Sequence, residues 1–320
     1  MVAISIQIEG QTGLTWSRWQ RLVEAIEGLG YAGLFRSDHF TDPVPPDREA
    51  LETIVSLAYA ADHTRRLHFG PLVSPISFHH PVMLTRQAIA LDDLSGGRFI
   101  FGVGAGWQER EHAMFGLNLG DMRTRMARFA EALEVINLLL RSEQPVTFNG
   151  SFYQLREAQL LPRPQRPGGP PIMIGGGGRK RTLPLAARYA DIWNAGFLSP
   201  EQFRELSAFL DQLLQEAGRP PSSVQRTMMT SLFFGRTRED LYQRLDWWRH
   251  YDPSYASLSS QEILERVQAQ NRTIVGTPDM AIAQIRRYGE AGIQELMLQW
   301  FYLDDIEGLR DFAETVLPFV

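Results

Sequence analysis

An α/β fold, a (β/α)8 TIM barrel spanning residues 1–320 as one domain, is the class this sequence predicts. Three observations carry that prediction. Short apolar runs of strand type alternate with segments of helical spacing eight times along the chain. No charged or low-complexity linker and no shift in composition divides it, which disfavours the alternative, an open doubly wound sheet with a second domain. A chain of 320 residues with 44% hydrophobic content can bury one large core.

Residues 2–8 alternate as a first strand. Trp16, Trp19, Leu22, Val23 and Ile26 recur at helical spacing, and Gly28 and Gly30 end that helix. Ala32–Phe35 is the second strand and runs into Arg36-Ser37-Asp38-His39-Phe40. A second helix covers Glu49–Asp62, and a third strand, Leu67–Val73, ends in Ser74-Pro75. Pro81–Leu94 is a helix stopped by Ser95-Gly96-Gly97. The fourth strand, Arg98–Val103, leads into Gly104-Ala105-Gly106-Trp107, and a long helix covers Met122–Leu140. Asn149-Gly150, set between alternating apolar residues, marks an inserted β-hairpin over Val146–Leu155, expected to flank the site. Strand five is Ile172–Ile174, strand six Asp191–Trp193, and strand seven lies within Gln225–Phe234. The stretch 236–270 is helical in tendency and interrupted at Asp252-Pro253. Thr277-Pro278-Asp279 starts a helix that ends at Gly289, Gly292–Leu298 is the eighth strand, and Ile306–Val316 closes the chain as a helix.

In such a barrel the segments that follow the strands gather at one end. Asp38, His39, Ser74, Gly104–Trp107, Gly175–Arg179 and Asn194 should therefore share one mouth. The stretch Pro171-Pro-Ile-Met-Ile-Gly-Gly-Gly-Gly178-Arg179-Lys-Arg181-Thr182 reads as strand, glycine turn, helix. Gly175, Gly176, Gly177 and Gly178 can bring backbone N–H groups against a phosphate, beside the positive end of the next helix and the charge of Arg179. A turn that merely needs positive φ is the plainer alternative. It is neither a Walker loop nor a dinucleotide fingerprint, for the required spacings are missing.

His39 follows a strand and suits a neutral donor or a proton shuttle; the alternative is a histidine that satisfies backbone groups at a strand end. Gly102, Gly104 and Gly106 let the backbone lie against a planar ring, or mark a β-bulge at a barrel corner. Glu109 and Glu111 read as solvated first-turn residues of the following helix. Trp247, Trp248, Tyr251 and Tyr255 are packing residues or an aromatic lid. His79-His80 lacks the third ligand a zinc site needs, and His63, His68, His112 and His250 read as structural or surface. The net charge of −5 disfavours nucleic acid as partner, and a chain without cysteine has no disulfide and no thiolate chemistry. With no basic leader and no apolar run near 18 residues, the expectation is a cytoplasmic protein with a small-molecule substrate and no membrane partner.

Several motifs lie in one order along nearly the whole chain: Ala32-Gly-Leu-Phe-Arg-Ser-Asp-His-Phe40, Leu67-His-Phe-Gly-Pro-Leu-Val-Ser-Pro75 with His80-Pro81, and Leu94-Ser-Gly-Gly-Arg-Phe-Ile-Phe-Gly-Val-Gly-Ala-Gly-Trp107. They continue with Leu161-Pro-Arg-Pro164, Pro171-Ile-Met-Ile-Gly-Gly-Gly177, Ala190-Asp-Ile-Trp-Asn194 and Val275-Gly-Thr-Pro278. In these the chain resembles the luciferase-like flavin monooxygenase family, and within it the subgroup that uses the deazaflavin coenzyme F420. The resemblance implies a coenzyme F420-dependent oxidoreductase that moves a hydride to or from a small organic substrate, with His39 managing a proton. An FMN-dependent monooxygenase is the alternative; a flavin-binding barrel without turnover and an aldolase or isomerase of a phosphorylated metabolite stand further off. By the same resemblance Gly175–Gly178 and Arg179 hold the coenzyme phosphate, Asp38 and His39 lie by the ring, and Ser74 and Asn194 lie near its edge; Gly104, Gly106 and Trp107 are expected to bind the same coenzyme. A non-prolyl cis peptide backing the ring is implied near Leu72-Val73. Deazaflavin sugar-phosphate dehydrogenases of the family carry a carboxylate where Trp107 stands here, which points away from a sugar phosphate and toward an aromatic-walled pocket. Members often dimerise through barrel-side helices, so a homodimer is the assembly the resemblance implies.

Overall fold

A computed structural model describes residues 1–320 except the side chain of His250, so the reading of that histidine lies outside the described residues. The strands are β1 (Ala3–Ile8), β2 (Gly33–Arg36), β3 (His68–Pro71), β4 (Ser74–Pro75), β5 (Phe101–Gly104), β6 (Val146–Asn149), β7 (Gln154–Ala158), β8 (Ile172–Gly175), β9 (Ile192–Gly196), β10 (Gln225–Phe234), β11 (Ile274–Gly276) and β12 (Glu295–Gln299). Between them run α1 (Trp16–Leu29), α2 (Thr53–His63), α3 (Pro81–Leu94), α4 (Glu109–Phe115), α5 (Met122–Arg141), α6 (Thr182–Tyr189), α7 (Pro200–Glu216), α8 (Arg238–Tyr251), α9 (Ser260–Gln270), α10 (Pro278–Glu290) and α11 (Ile306–Thr315).

The main sheet is parallel and ordered β3-β2-β1-β12-β10-β9-β8-β5-β4. A bridge from Phe69 on β3 to Phe99, just ahead of β5, brings its two edges together. The expected barrel is thus present, with β3 and β4 as one strand broken at Leu72-Val73, whose peptide bond is cis. Two elements differ from the sequence reading. β11 falls where the sequence assigns no element, and its three residues pair with the end of β10. The hairpin β6–β7 forms, but it packs on α5, where Glu131 accepts from the N–H groups of Ser151 and Phe152 at 2.9 and 2.8 Å. It does not line the cavity described below, and neither does the stretch 115–120.

Local chemistry sets the helix limits. Thr15 caps α1 and Gly30, at φ 90°, ends it. Pro81 and Pro200 occupy first turns, and Ser199 with Gln202 forms a capping box. Alternation along β1 sends Ile4, Ile6 and Ile8 outward against Trp19, Leu22 and Ile26, the main source of burial energy. Inside the barrel Phe35, Leu72, Ile100, Met173, Ile192 and Met297 form a second cluster. Above that plug the interior turns polar, with Gln7, Asn194, Thr227 and Gln299, all buried. Among the described residues no helix is long and apolar enough to cross a membrane.

Candidate active site

The strand ends open onto a cavity of about 780 Å³. One end is built from glycine backbone. Gly104 faces Val73 so closely that a Cβ there would lie 2.6 Å from Val73 Cγ2, so strand β5 needs glycine to admit the bulge after β3. Gly176 has φ +113°, which side chains rarely adopt, and its N–H donates to Asn194 O at 2.9 Å. The next N–H groups, those of Gly177, Gly178, Arg179 and Lys180, meet no acceptor among the described residues and stand at the start of α6. Arg125 of α5 reaches the same cavity, donating to Gly106 O and Gly120 O at 3.2 Å each. Its Nε is buried with no acceptor. A row of donors lacking acceptors is what an anionic tail requires.

The other end carries acid–base groups. His39 Nδ1 lies 2.7 Å from Glu111 Oε1, and Glu111 Oε2 accepts from the Phe40 N–H at 3.0 Å. Glu111 is fully buried, so the reading of it as a solvated first-turn residue fails: α4 turns it inward onto the β2 loop. The helix is pinned there by His112, whose ring nitrogens lie 2.6 Å from Gln108 O and 2.8 Å from Ser77 Oγ. Burial works against the imidazolium of His39, but the hydrogen bond and charge of Glu111, with Glu9 and Asp38 beyond, outweigh it and raise its pKa. Trp107 stands edge-on to His39 at 5.6 Å and is largely exposed. Burial pushes the Asp42 carboxyl at the rim up to about 6, even with Arg48 3.3 Å away.

His39, Leu72, Val73, Gly104, Gly106, Trp107, Gly175, Gly176 and Asn194 all line this one cavity. Asp38 and Ser74 lie behind it: Asp38 Oδ2 accepts from Ser74 Oγ at 2.7 Å and lies 2.8 Å from His79 Nε2. Burial opposes the charge on Asp38, yet His79, Ser74 and Thr53 together hold its pKa low. His79, set aside at first as a failed metal ligand, is thus the partner that orients this carboxylate. Arg179 departs from expectation. Its side chain pairs with Glu205 at 2.7 Å and lies over the Phe209 ring, and neither it nor Gly177 and Gly178, expected beside it, is among the residues that line the cavity. Arg125, by contrast, lines the cavity. The basic row Arg123, Arg125 and Arg128 on α5 gave no sign of this, because only the packing of α5 on the loop 104–106 decides which of them turns inward.

The barrel mouth thus joins a glycine turn, a broken strand and a carboxylate-held histidine on one cavity. The chain belongs to the luciferase-like monooxygenase family, whose model matches residues 1–295. It is 29% identical over 311 residues to an F420-dependent glucose-6-phosphate dehydrogenase of Amycolatopsis mediterranei, covering 91% of each chain. It is 28% identical over 335 residues to 4-hydroxyprotoasukamycin monooxygenase of Streptomyces nodosus subsp. asukaensis, covering 96% of this chain and 86% of that one. Among solved structures, an F420-dependent secondary alcohol dehydrogenase in complex with an F420-acetone adduct superposes with a TM-score of 0.81 at 20% identity, covering 98% of each chain.

Proposed function

We propose that this protein is a coenzyme F420-dependent oxidoreductase that moves a hydride between the deazaflavin and a small organic substrate. The relatives carry the redox assignment, and the observation of this chain that supports it most is one cavity lined by both the His39–Glu111 pair and Arg125, whose buried Nε has no acceptor. Bound there, the deazaflavin supplies the centre that accepts or gives the hydride. The N–H groups of Gly177–Lys180 at the start of α6 and the Arg125 guanidinium would hold its phosphate, and the side chains of Leu72 and Val73 would back the ring. With Nδ1 engaged by Glu111, His39 offers Nε2 to the substrate. It takes the proton of an alcohol on oxidation, or returns one on reduction, while Glu111 steadies the imidazolium. Asn194 stays oriented by donating to Thr227 Oγ1 at 2.9 Å and, lining the cavity, would sit near the ring edge.

A sugar phosphate is a poor fit. Among the described residues Arg125 is the one arginine that lines the cavity, whereas Glu9, Asp42 and Glu111 also line it and Arg48 beside it is paired with Asp42. Titration of the purified protein with F420 and with FMN tests the reading. Saturable one-to-one binding of F420 with weaker binding of FMN is expected; tight FMN binding without F420 binding selects the monooxygenase alternative.

A further inference from the structure

The partner that holds His39 leads nowhere. Glu111 engages Nδ1 with one oxygen, keeps the other on the Phe40 N–H, and its side chain is 1% exposed. A proton that His39 takes from a hydroxyl therefore cannot reach solvent through Glu111. It has to leave from Nε2, on the cavity side, where substrate and coenzyme leave little water to carry it. A second group is needed to take it to the surface.

Asp42 is placed for that task. It lies three residues beyond His39 on the same loop and lines the same cavity, while Val44, two residues further, is already 68% exposed. The loop is fastened. Gln108 Nε2 donates to Thr41 O at 2.9 Å, and Arg110 donates to Asp42 O at 2.8 Å and, through both Nη groups, to Asp47 at 2.7 Å. The helix that brings Glu111 to His39, with its cap, thus also sets the backbone of Asp42. Arg48 Nη1 occupies only Oδ2 of the carboxylate, at 3.3 Å, and Oδ1 accepts no hydrogen bond among the described residues. The charges facing Asp42 are Arg48, Asp47 and His39 of its own loop and Glu9 just after β1. Tyr251 of α8 faces it too, a phenol kept neutral by burial first and by Asp42 second. Burial brings the Asp42 carboxyl to about 6, so it takes up and gives up a proton near neutral pH.

We propose that Asp42 is the proton outlet of this site, a carboxylate that acts through His39 and passes protons between its Nε2 and solvent. This rests on the reading of the cavity as an oxidoreductase site. In the oxidising direction the hydroxyl proton of an alcohol goes to Nε2 while the hydride leaves carbon for the coenzyme and C=O forms. The Nε2–H bond then breaks, its proton passes over a bridging water to Asp42 Oδ1, and the carboxylic acid loses it to solvent. Reduction runs the same path inward, and no further oxidant or reductant enters.

The His39 ring, followed by NMR in the unaltered protein, Asp42→Asn and Asp42→Glu, tests this without a substrate. In the protein alone the Cε1–H shift of His39 should show a second inflection near pH 6 from Asp42, absent in the Asn variant and restored in the Glu variant. In the F420-loaded protein near pH 6, exchange of the Nε2 proton with water should slow at least about tenfold in Asp42→Asn and recover as formate is added. A single inflection in the unaltered protein, equal exchange rates, or a slowing that formate does not relieve overturns the proposal. Where Asp42→Asn does not fold, the unaltered protein decides. Its exchange should level off once Asp42 is ionised, and a rate that keeps climbing about tenfold per pH unit with hydroxide overturns the proposal. Failure of F420 to bind strikes the cofactor reading alone, because the inflection is read without it.

Discussion

The carboxylate of Glu111 meets the imidazole of His39 from 72 residues away in sequence, Oε1 lying 2.7 Å from Nδ1, and its second oxygen takes the N–H of Phe40. One side chain thus sets both the ring and the backbone beside it. Replacing Glu111 by Gln keeps the shape and removes the charge. Turnover is expected to fall by about 10- to 100-fold with little change in coenzyme affinity. The pH profile supplies the sign: Glu111 raises the His39 pKa, so its inflection should move to lower pH in the variant. The stability that Glu111 lends through His39 is fully present below the unfolded histidine value of about 6.5 and is lost as pH rises through the folded one. Kinetics and thermal melts across pH check both.

His39→Ala should abolish most turnover, by about 100- to 10,000-fold, while coenzyme binding persists. Equal rates in the two proteins would remove His39 from the reaction.

Arg125 and Arg179 offer a paired test of the anion end. Arg125→Ala should weaken F420 binding by about 10- to 100-fold, because a charge-assisted contact is lost from a buried site. Arg179→Ala removes an exposed pair with Glu205 and should change affinity little. Fluorescence titration of both variants gives the comparison.

Asp38 makes a different prediction. Its pKa is lowered in the fold, so its contribution is present above the unfolded carboxyl value of about 3.9 and is lost as pH falls through the folded one. Asp38→Asn should therefore lower thermal stability at pH 7 by about 1–3 kcal/mol, with the two proteins converging in acid. Thermal melts of both from pH 7 into acid are the check.

Much of this architecture could be read from the sequence, and what could not shares one cause. Pro81–Leu94 matched to the residue because proline and two glycines bracket it. The gathering of His39, Gly104, Gly176 and Asn194 on one cavity followed from barrel geometry alone, and Val73 from the family resemblance. Glu111 and Arg125 escaped because each sits on a helix among like charges and resembles a solvated residue until the helix is packed. The hairpin's existence was written in Asn149-Gly150, but the side of the barrel it leans on is a tertiary fact. β11 is three residues long, too short for alternation to show.

The central claim is that a single coenzyme spans this cavity from the donor row at Gly177–Lys180 to His39. A crystal structure of the protein with F420 tests it most directly. The phosphate is expected on those N–H groups and on Arg125, and the ring over Leu72 and Val73 within about 3–4 Å of the substrate position faced by His39 Nε2. A phosphate bound elsewhere, or a ring on the far side of the barrel from His39, would contradict it.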